Sequence, residues 1–300
     1  MSSVRIRETI VECLEEIQTN RGENQRKKAL QTLITITKVS PQNRNLLAQT
    51  DGAISIILSL FKSCSPDVET LALSILFNLS LNPNLKHSLA DMKNIMSLNS
   101  LILSPASVES SKLAASLLCS LAMLDKNKAK FGVAGTIQVL IHAISSGLGH
   151  PACHHLLSSL AELVQFHGNC IVAVRSGAIP MLIRVVKNGE GEDLAGTSLT
   201  ILSLLSRFEE GLNALRMSDE ILNIVLGVLK EGSMLSKEGA VVILLRLFEE
   251  SEGCILNALR LPEIMTVLAD VSVRGSAVAR QKAGLLMKKM MEANLDGYVR

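Results

Sequence analysis

Six isoleucines recur at nearly constant intervals: Ile54, Ile95, Ile137, Ile179, Ile221 and Ile264, spaced 41, 42, 42, 42 and 43 residues apart. A period of this length marks a stacked helical repeat, whose units are too small to bury their own apolar faces and bury them against one another. Each isoleucine opens a similar phrase. Asp51 to Leu60 reads DGAISIILSL, Ala134 to Ile144 reads AGTIQVLIHAI, and Ser176 to Val186 reads SGAIPMLIRVV. The copies from Asp219 (DEILNIVLGVL) and Pro262 (PEIMTVLADV) lack the glycine but keep the apolar spacing. Where glycine is present it supplies the left-handed residue that ends one helix, so a turn is predicted just before each isoleucine.

About twelve residues after each isoleucine comes a second break, as at Ser65-Pro66-Asp67, Ser104-Pro105, Gly147 to Pro151, Gly189 to Asp193, Gly232-Ser233 and Gly275-Ser276. An amphipathic segment follows each break. Ala72, Ile75, Leu76 and Leu79 place apolar side chains at i, i+3, i+4 and i+7, the stripe of one helical face, and Ala114, Leu117, Leu118, Leu121 and Ala240, Ile243, Leu244, Leu247 repeat it. A shorter helix leads to the next glycine. The expected unit is three helices in about 42 residues, and the expected domain is a single array over 1–300, with repeats 1–50, 51–91, 92–133, 134–175, 176–217, 218–260 and 261–300, the first and last as caps.

Composition agrees with an all-α chain: 48% of residues are hydrophobic but only 2% aromatic, with no Trp and one Tyr, whereas sheets favour aromatic and β-branched residues. The net charge of +2 provides no field for nucleic acid or an anionic membrane. Apolar runs such as Ala53 to Phe61 are too short to insert into a bilayer. Ser2 to Asn20 is amphipathic and charged, unlike a secretory signal. A cytoplasmic or nuclear protein is expected, with Cys13, Cys64, Cys119, Cys153, Cys170 and Cys254 as reduced thiols, since their spacing is unpaired.

His150, Cys153 and His154 have i, i+3, i+4 spacing, but Cys153 aligns with the core position of Ala72 and Pro151 sets His150 ahead of the helix, so no metal is expected. Gly147-x-Gly149-x-x-Ala152 matches a dinucleotide fingerprint in form, without the preceding strand it requires. Acidic clusters such as Glu209 and Glu210 suit helix starts. No catalytic residue and no cofactor is expected, and the chain reads as a non-enzyme.

The Gly-Ala-Ile phrases at Gly52 and Gly177, the stretch Ala72 to Ser80 (ALSILFNLS) and the helix start at Asn82 to Asn84 resemble armadillo repeats. That resemblance implies a right-handed superhelical solenoid of about seven three-helix repeats. Within it, Lys38 to Arg44 (KVSPQNR) and the last repeat, Gly275-Ser276 with Arg280 to Ala283 and Leu285-Leu286, are similar to the armadillo region of plant U-box ubiquitin ligases. The cysteine, proline and aromatic landmarks of a U-box are not in this sequence, which implies recognition of a protein or peptide without ubiquitin transfer. Two readings stay open: a stand-alone adaptor or scaffold in ubiquitin-linked regulation, and the substrate-recognition part of a U-box ligase.

In armadillo proteins the third helix of each repeat lines a concave groove. Ser74 and Asn78 lie about 130° from the Ala72 stripe at 100° per residue, and are expected to be exposed there. Aligning the stripes extends the row of Asn78 through Thr35, Ser120, Ser159, Leu204, Arg246 and Lys289, and the row of Ser74 through Gln31, Ser116, His155, Thr200, Val242 and Leu285. Import receptors of this class hold basic cargo with repeated Trp and Asn in such rows, and a chain without Trp does not suit that role. Arg246 and Lys289, with Arg274, Arg280, Lys282 and Lys288 nearby, would suit an acidic or phosphorylated peptide at the C-terminal end.

Overall fold

Three glycines that precede the isoleucines take the left-handed conformation, Gly52 at φ 73°, Gly135 at 77° and Gly177 at 83°. A side chain is strained there, and glycine is not. The structure is a computed structural model that describes residues 3–19, 22–60, 65–147, 150–188 and 191–299; Cys64, Gly149, Gly189 and Glu190 lie outside the described residues. Helices account for 84% of the described residues, and no strand occurs among them.

The residues form two compact units, one of 1–143 with 150–163 and one of 144–149 with 164–300. The first contains α1 (Ser3–Gln18), α2 (Glu23–Val39), α3 (Pro41–Gln49), α4 (Ala53–Ser59), α5 (Pro66–Ser80), α6 (Pro83–Leu89), α7 (Met92–Leu103), α8 (Val108–Ala122), α9 (Asp125–Val133), most of α10 (Thr136–Ser146), and α11 (Cys153–Leu163). The second contains α12 (His167–Arg175), α13 (Ala178–Asn188), α14 (Glu192–Leu205), α15 (Glu209–Arg216), α16 (Ile221–Glu231), α17 (Met234–Glu250), α18 (Glu252–Leu259), α19 (Ile264–Arg274) and α20 (Ala277–Val299).

The isoleucine frame holds throughout. All six sit in the first four residues of α4, α7, α10, α13, α16 and α19, and all but the half-buried Ile54 are buried; each such burial contributes about 1.5–3 kcal/mol. At Gly177 the chain bends by 74° between α12 and α13. The repeats without glycine turn differently, through Glu220 at φ −93°, ψ −14° and Glu263 at φ −111°, ψ 0°. Among the described residues no single helix is long and apolar enough to cross a membrane.

The third helices of successive repeats pack side by side within each unit, α2 on α5, α5 on α8 and α8 on α11 in the first, α14 on α17 and α17 on α20 in the second. Each ends at a cap residue for the next short helix: Ser40, Asn82, Leu124, Phe166, Phe208 and Ser251, again 42 or 43 residues apart. Ser40, Asn82 and Ser251 accept a hydrogen bond from a first-turn N–H, which satisfies a donor the helix leaves open.

Candidate partner-binding face

The row through Asn78 is not a solvent-facing row. Asn78 is only 6% exposed, and its Nδ2 donates to Thr37 Oγ1 at 3.0 Å in the preceding repeat. Thr37 donates its own proton to Leu33 O at 2.9 Å, which leaves the hydroxyl oxygen to accept. Ser120, also expected in the groove, donates to Ser80 O at 3.2 Å and accepts from Ser80 Oγ at 2.9 Å, while Ser159 donates to Ala115 O at 3.0 Å. Both are buried. In the second unit Arg246 Nε makes the same backward reach to Ser206 O at 3.4 Å. The reason is lateral packing: a third helix is flanked by the third helices of its neighbours, so positions well round from the stripe meet a neighbour before they meet water.

The structure also corrects the register in two helices. In α5 the buried Ala72, Leu73, Ile75, Leu76 and Leu79 precede the cap Asn82 by 10, 9, 7, 6 and 3 residues, and in α11 the same distances before Phe166 fall on Leu156, Leu157, Ser159, Leu160 and Leu163, all buried. Leu156, not Cys153, is therefore the equivalent of Ala72. Ser158 and Glu162 take the places expected of His155 and Ser159, and Thr32 and Ile36 those of Gln31 and Thr35. Both Cys153 and Leu156 are apolar, so the stripe alone fits α11 two ways; the cap removes the ambiguity. Gln31 and Thr35 are nonetheless exposed, Ser74 and Ser116 half-buried, and Ser116 Oγ lies 3.2 Å from His155 Nδ1.

A different set of side chains is left open in the first unit. Val39, Leu81 and Met123 each stand one residue before a cap, at one register of three successive repeats, and are 73%, 47% and 61% exposed. Half-buried Phe77 and Cys119 lie one turn back along α5 and α8. These residues fall outside the core stripe and carry no local motif; their common distance to the cap is the signal that unites them. At this register the later repeats carry Gln165, Arg207 and Glu250, all polar.

Basic side chains near these helix ends are already engaged. Arg44 Nε donates to Thr37 O at 3.0 Å and Lys86 Nζ to Ser120 O at 2.6 Å, so each offsets the negative end of a helix. Burial pushes the Lys86 ammonium below its ordinary pKa, and burial raises that of Cys119. Lys128, 42 residues after Lys86, pairs with Asp125 at 2.9 Å and Glu162 at 3.7 Å.

In the second unit Thr200 is exposed and its hydroxyl donates to Gly196 O at 2.9 Å. Three of the cations expected to receive an acidic peptide are paired within their own helices: Arg246 with Glu249 at 3.0 Å, Arg274 with Asp270 at 3.2 Å and Lys288 with Glu292 at 3.8 Å. Lys289 is half-buried. A shallow pocket of about 340 Å³ opens between α13, α14, α16 and α17, lined by Val186, Ala195, Ile224, Gly227 and Val228, with Lys187 at its edge bound to Glu220 at 2.7 Å. Among the described residues no three His, Cys, Asp or Glu side chains converge as metal ligands. His150 Nδ1 accepts the N–H of Ala152 at 3.1 Å, Cys153 is buried, and the rings of His154 and His155 meet edge to face.

The chain is similar to known proteins in sequence and in fold. The sequence model of the plant U-box protein ARM repeat region matches residues 9–296. U-box domain-containing protein 8 of Arabidopsis thaliana is 25% identical over 221 residues, 72% of this chain and 56% of that protein. U-box domain-containing protein 1 of Medicago truncatula is 29% identical over 121 residues, 40% of this chain and 17% of that protein. The chain thus spans about half or less of the curated relatives it matches. Among solved structures, an engineered protein covers 96% of this chain at TM-score 0.79 and 16% identity, with 71% of its own length matched. Computationally designed armadillo repeat proteins for modular peptide recognition cover 79% at TM-score 0.71 and 16% identity, with 99% of their length matched. These structures establish an armadillo-repeat fold.

Proposed function

Because this chain belongs to the plant U-box armadillo-repeat family, we propose that it is a recognition module whose first unit holds an extended segment of a partner protein, in the service of ubiquitin-linked regulation. One observation carries this reading: Val39, Leu81 and Met123 stand exposed at the same register of adjacent repeats. Packed helices lie about 8–10 Å apart and an extended polyproline II chain rises about 3.1 Å per residue with three residues per turn, so roughly three residues of a partner span one repeat and every third side chain faces the same way. The partner would then present an apolar side chain at every third position. Ser74 donates to Thr70 O, which leaves its oxygen free to accept a partner N–H. The five described cysteines are free thiols, which suits a reducing compartment such as the cytoplasm or nucleus.

The test is selection of peptides from an unbiased display library on the intact chain, followed by affinity measurement on the double variant Leu81→Glu, Met123→Glu. Both positions are exposed, so the fold is expected to persist by circular dichroism. The expected result is an apolar residue at every third position and a loss of about tenfold or more in affinity. Unchanged affinity would place recognition elsewhere.

A second reading is favoured by the identity of the relatives: they carry U-box domains by name, and this chain spans 17% and 56% of two of them. On that reading the same face selects the substrate of a longer ligase. A full-length transcript that encodes a U-box in frame distinguishes it from the adaptor.

A further inference from the structure

The chain holds three Ser-Pro steps, at Ser40-Pro41, Ser65-Pro66 and Ser104-Pro105. Proline-directed kinases read this dipeptide with the serine in an extended backbone, the conformation that proline sterically favours in the residue before it. Two of the three serines are committed to helix starts. Ser40 is the only residue between α2 and α3, Pro41 opens α3, and Ser40 Oγ accepts the N–H of Asn43 at 3.2 Å. Ser65 immediately precedes Pro66, the first residue of α5, and donates to Glu23 Oε1 at 2.7 Å. Lys27 in turn bridges Glu23 and Asp67. Either serine can enter a kinase active site only if the first turn of a packed helix unwinds.

All three serines have the negative φ that proline permits, Ser40 and Ser65 in extended backbone and Ser104 at φ −141°, ψ 69°; Ser104 differs in its freedom to adjust. It follows the last residue of α7, and Ser104 to Ser107 form a four-residue connection before α8, so Pro105 belongs to no helix. Ser107, not Ser104, caps α8, through a bond from Ser110 N at 3.0 Å. Ser104 and Ala106 are exposed, and among the described residues no hydrogen bond engages the Ser104 hydroxyl.

We propose that Ser104 is a phosphorylation site for a proline-directed serine/threonine kinase, and that their places at the starts of packed helices shield Ser40 and Ser65 from the same enzyme. In the transfer, a bond forms between Ser104 Oγ and the γ-phosphorus of ATP as the bond from that phosphorus to the β,γ-bridging oxygen breaks; the hydroxyl proton passes to the kinase's catalytic aspartate and ADP leaves. The product adds about −1.5 to −2 charges to an open loop.

The full chain is incubated with Mg-ATP and a mitogen-activated-type kinase, beside synthetic peptides centred on each of the three serines, and phosphate is located by mass spectrometry. The expected result is that all three peptides accept phosphate while the folded chain accepts it at Ser104 alone. Ser104→Ala and Pro105→Ala each abolish incorporation into the folded chain. Labelling of Ser40 or Ser65 in the folded chain as fast as Ser104 overturns the shielding. A folded chain, or a Ser104 peptide, that takes no phosphate overturns the site.

Discussion

The two units fill the same structural positions with different chemistry. In the first, Thr70 Oγ1 lies 3.0 Å from Ser110 Oγ, and the hydroxyls tie α5 to α8. Three repeats later the matching residues are Gly196 and Ser236, where the helices approach without a side chain on one side, and a Cβ on Gly196 would lie 3.4 Å from Ser236 Oγ. The pattern recurs at the helix ends. Asn127 Nδ2 donates to Leu121 O at 3.0 Å and Lys86 O at 3.1 Å in the first unit. The equivalent pair in the second is Gly211 and Leu205, so close that a Cβ on the glycine would lie 2.1 Å from the carbonyl oxygen. At these two joints the first unit uses directional hydrogen bonds and the second uses close backbone approach. Either solution builds the repeat, because the apolar stripe, not the joint, supplies most of the burial. The difference extends to the surface, where the residue before the cap is Val39, Leu81 or Met123 in the first unit and Arg207 or Glu250 in the second.

The largest effect is expected at the glycine joint. Gly211→Ala forces a Cβ into the Leu205 carbonyl and is expected to destabilise the chain by about 3 kcal/mol, read as a lower urea midpoint. A wild-type midpoint would mean that α15 slides freely and the joint is loose. At the polar joint, Asn127→Ala removes both hydrogen bonds of a fully buried amide and is expected to cost about 2 kcal/mol. Gly196→Ala sharpens the comparison in the opposite direction. Its Cβ meets only ordinary contacts, and relief of glycine's entropy is expected to stabilise α14 by roughly 0.5–1 kcal/mol.

The smallest effect concerns pH. The Glu210 carboxylate sits below its ordinary pKa of 4.5, chiefly through a backbone hydrogen bond and then through His167, whose Nε2 lies 3.2 Å away. A carboxyl whose folded pKa is depressed adds stability above its unfolded value, and that stability is lost as pH falls through the folded one. Glu210→Gln should therefore lower the urea midpoint slightly at neutral pH and leave it unchanged at acid pH, below the range where Glu210 titrates. Equal shifts at both pH values would assign the effect to something other than ionisation.

Much of this fold is legible in the residues, because periodicity and glycine report directly on helix packing. The isoleucine frame, the left-handed turns at Gly52, Gly135 and Gly177 and the three-helix unit all emerge from spacing. Exposure was harder to read. A helical wheel knows only the face that meets its own repeat, so it leaves Asn78 and Ser120 in water, whereas the neighbouring third helix buries them; Ser159 is buried because the true register puts it on the stripe itself. Register failed where apolar residues were too plentiful: Cys153 and Leu156 both satisfy the stripe of α11. The open apolar side chains at Val39, Leu81 and Met123 carry no local motif, and only their distance to the cap unites them.

The central claim is that recognition belongs to the third helices of the first unit. Hydrogen–deuterium exchange of the full chain, with and without a library-selected peptide at saturation, tests it most directly. Exchange should slow in α5, α8 and the residues that follow them through Leu81 and Met123, while α14 and α17 are unchanged. Slowing confined to α14 and α17 would contradict it.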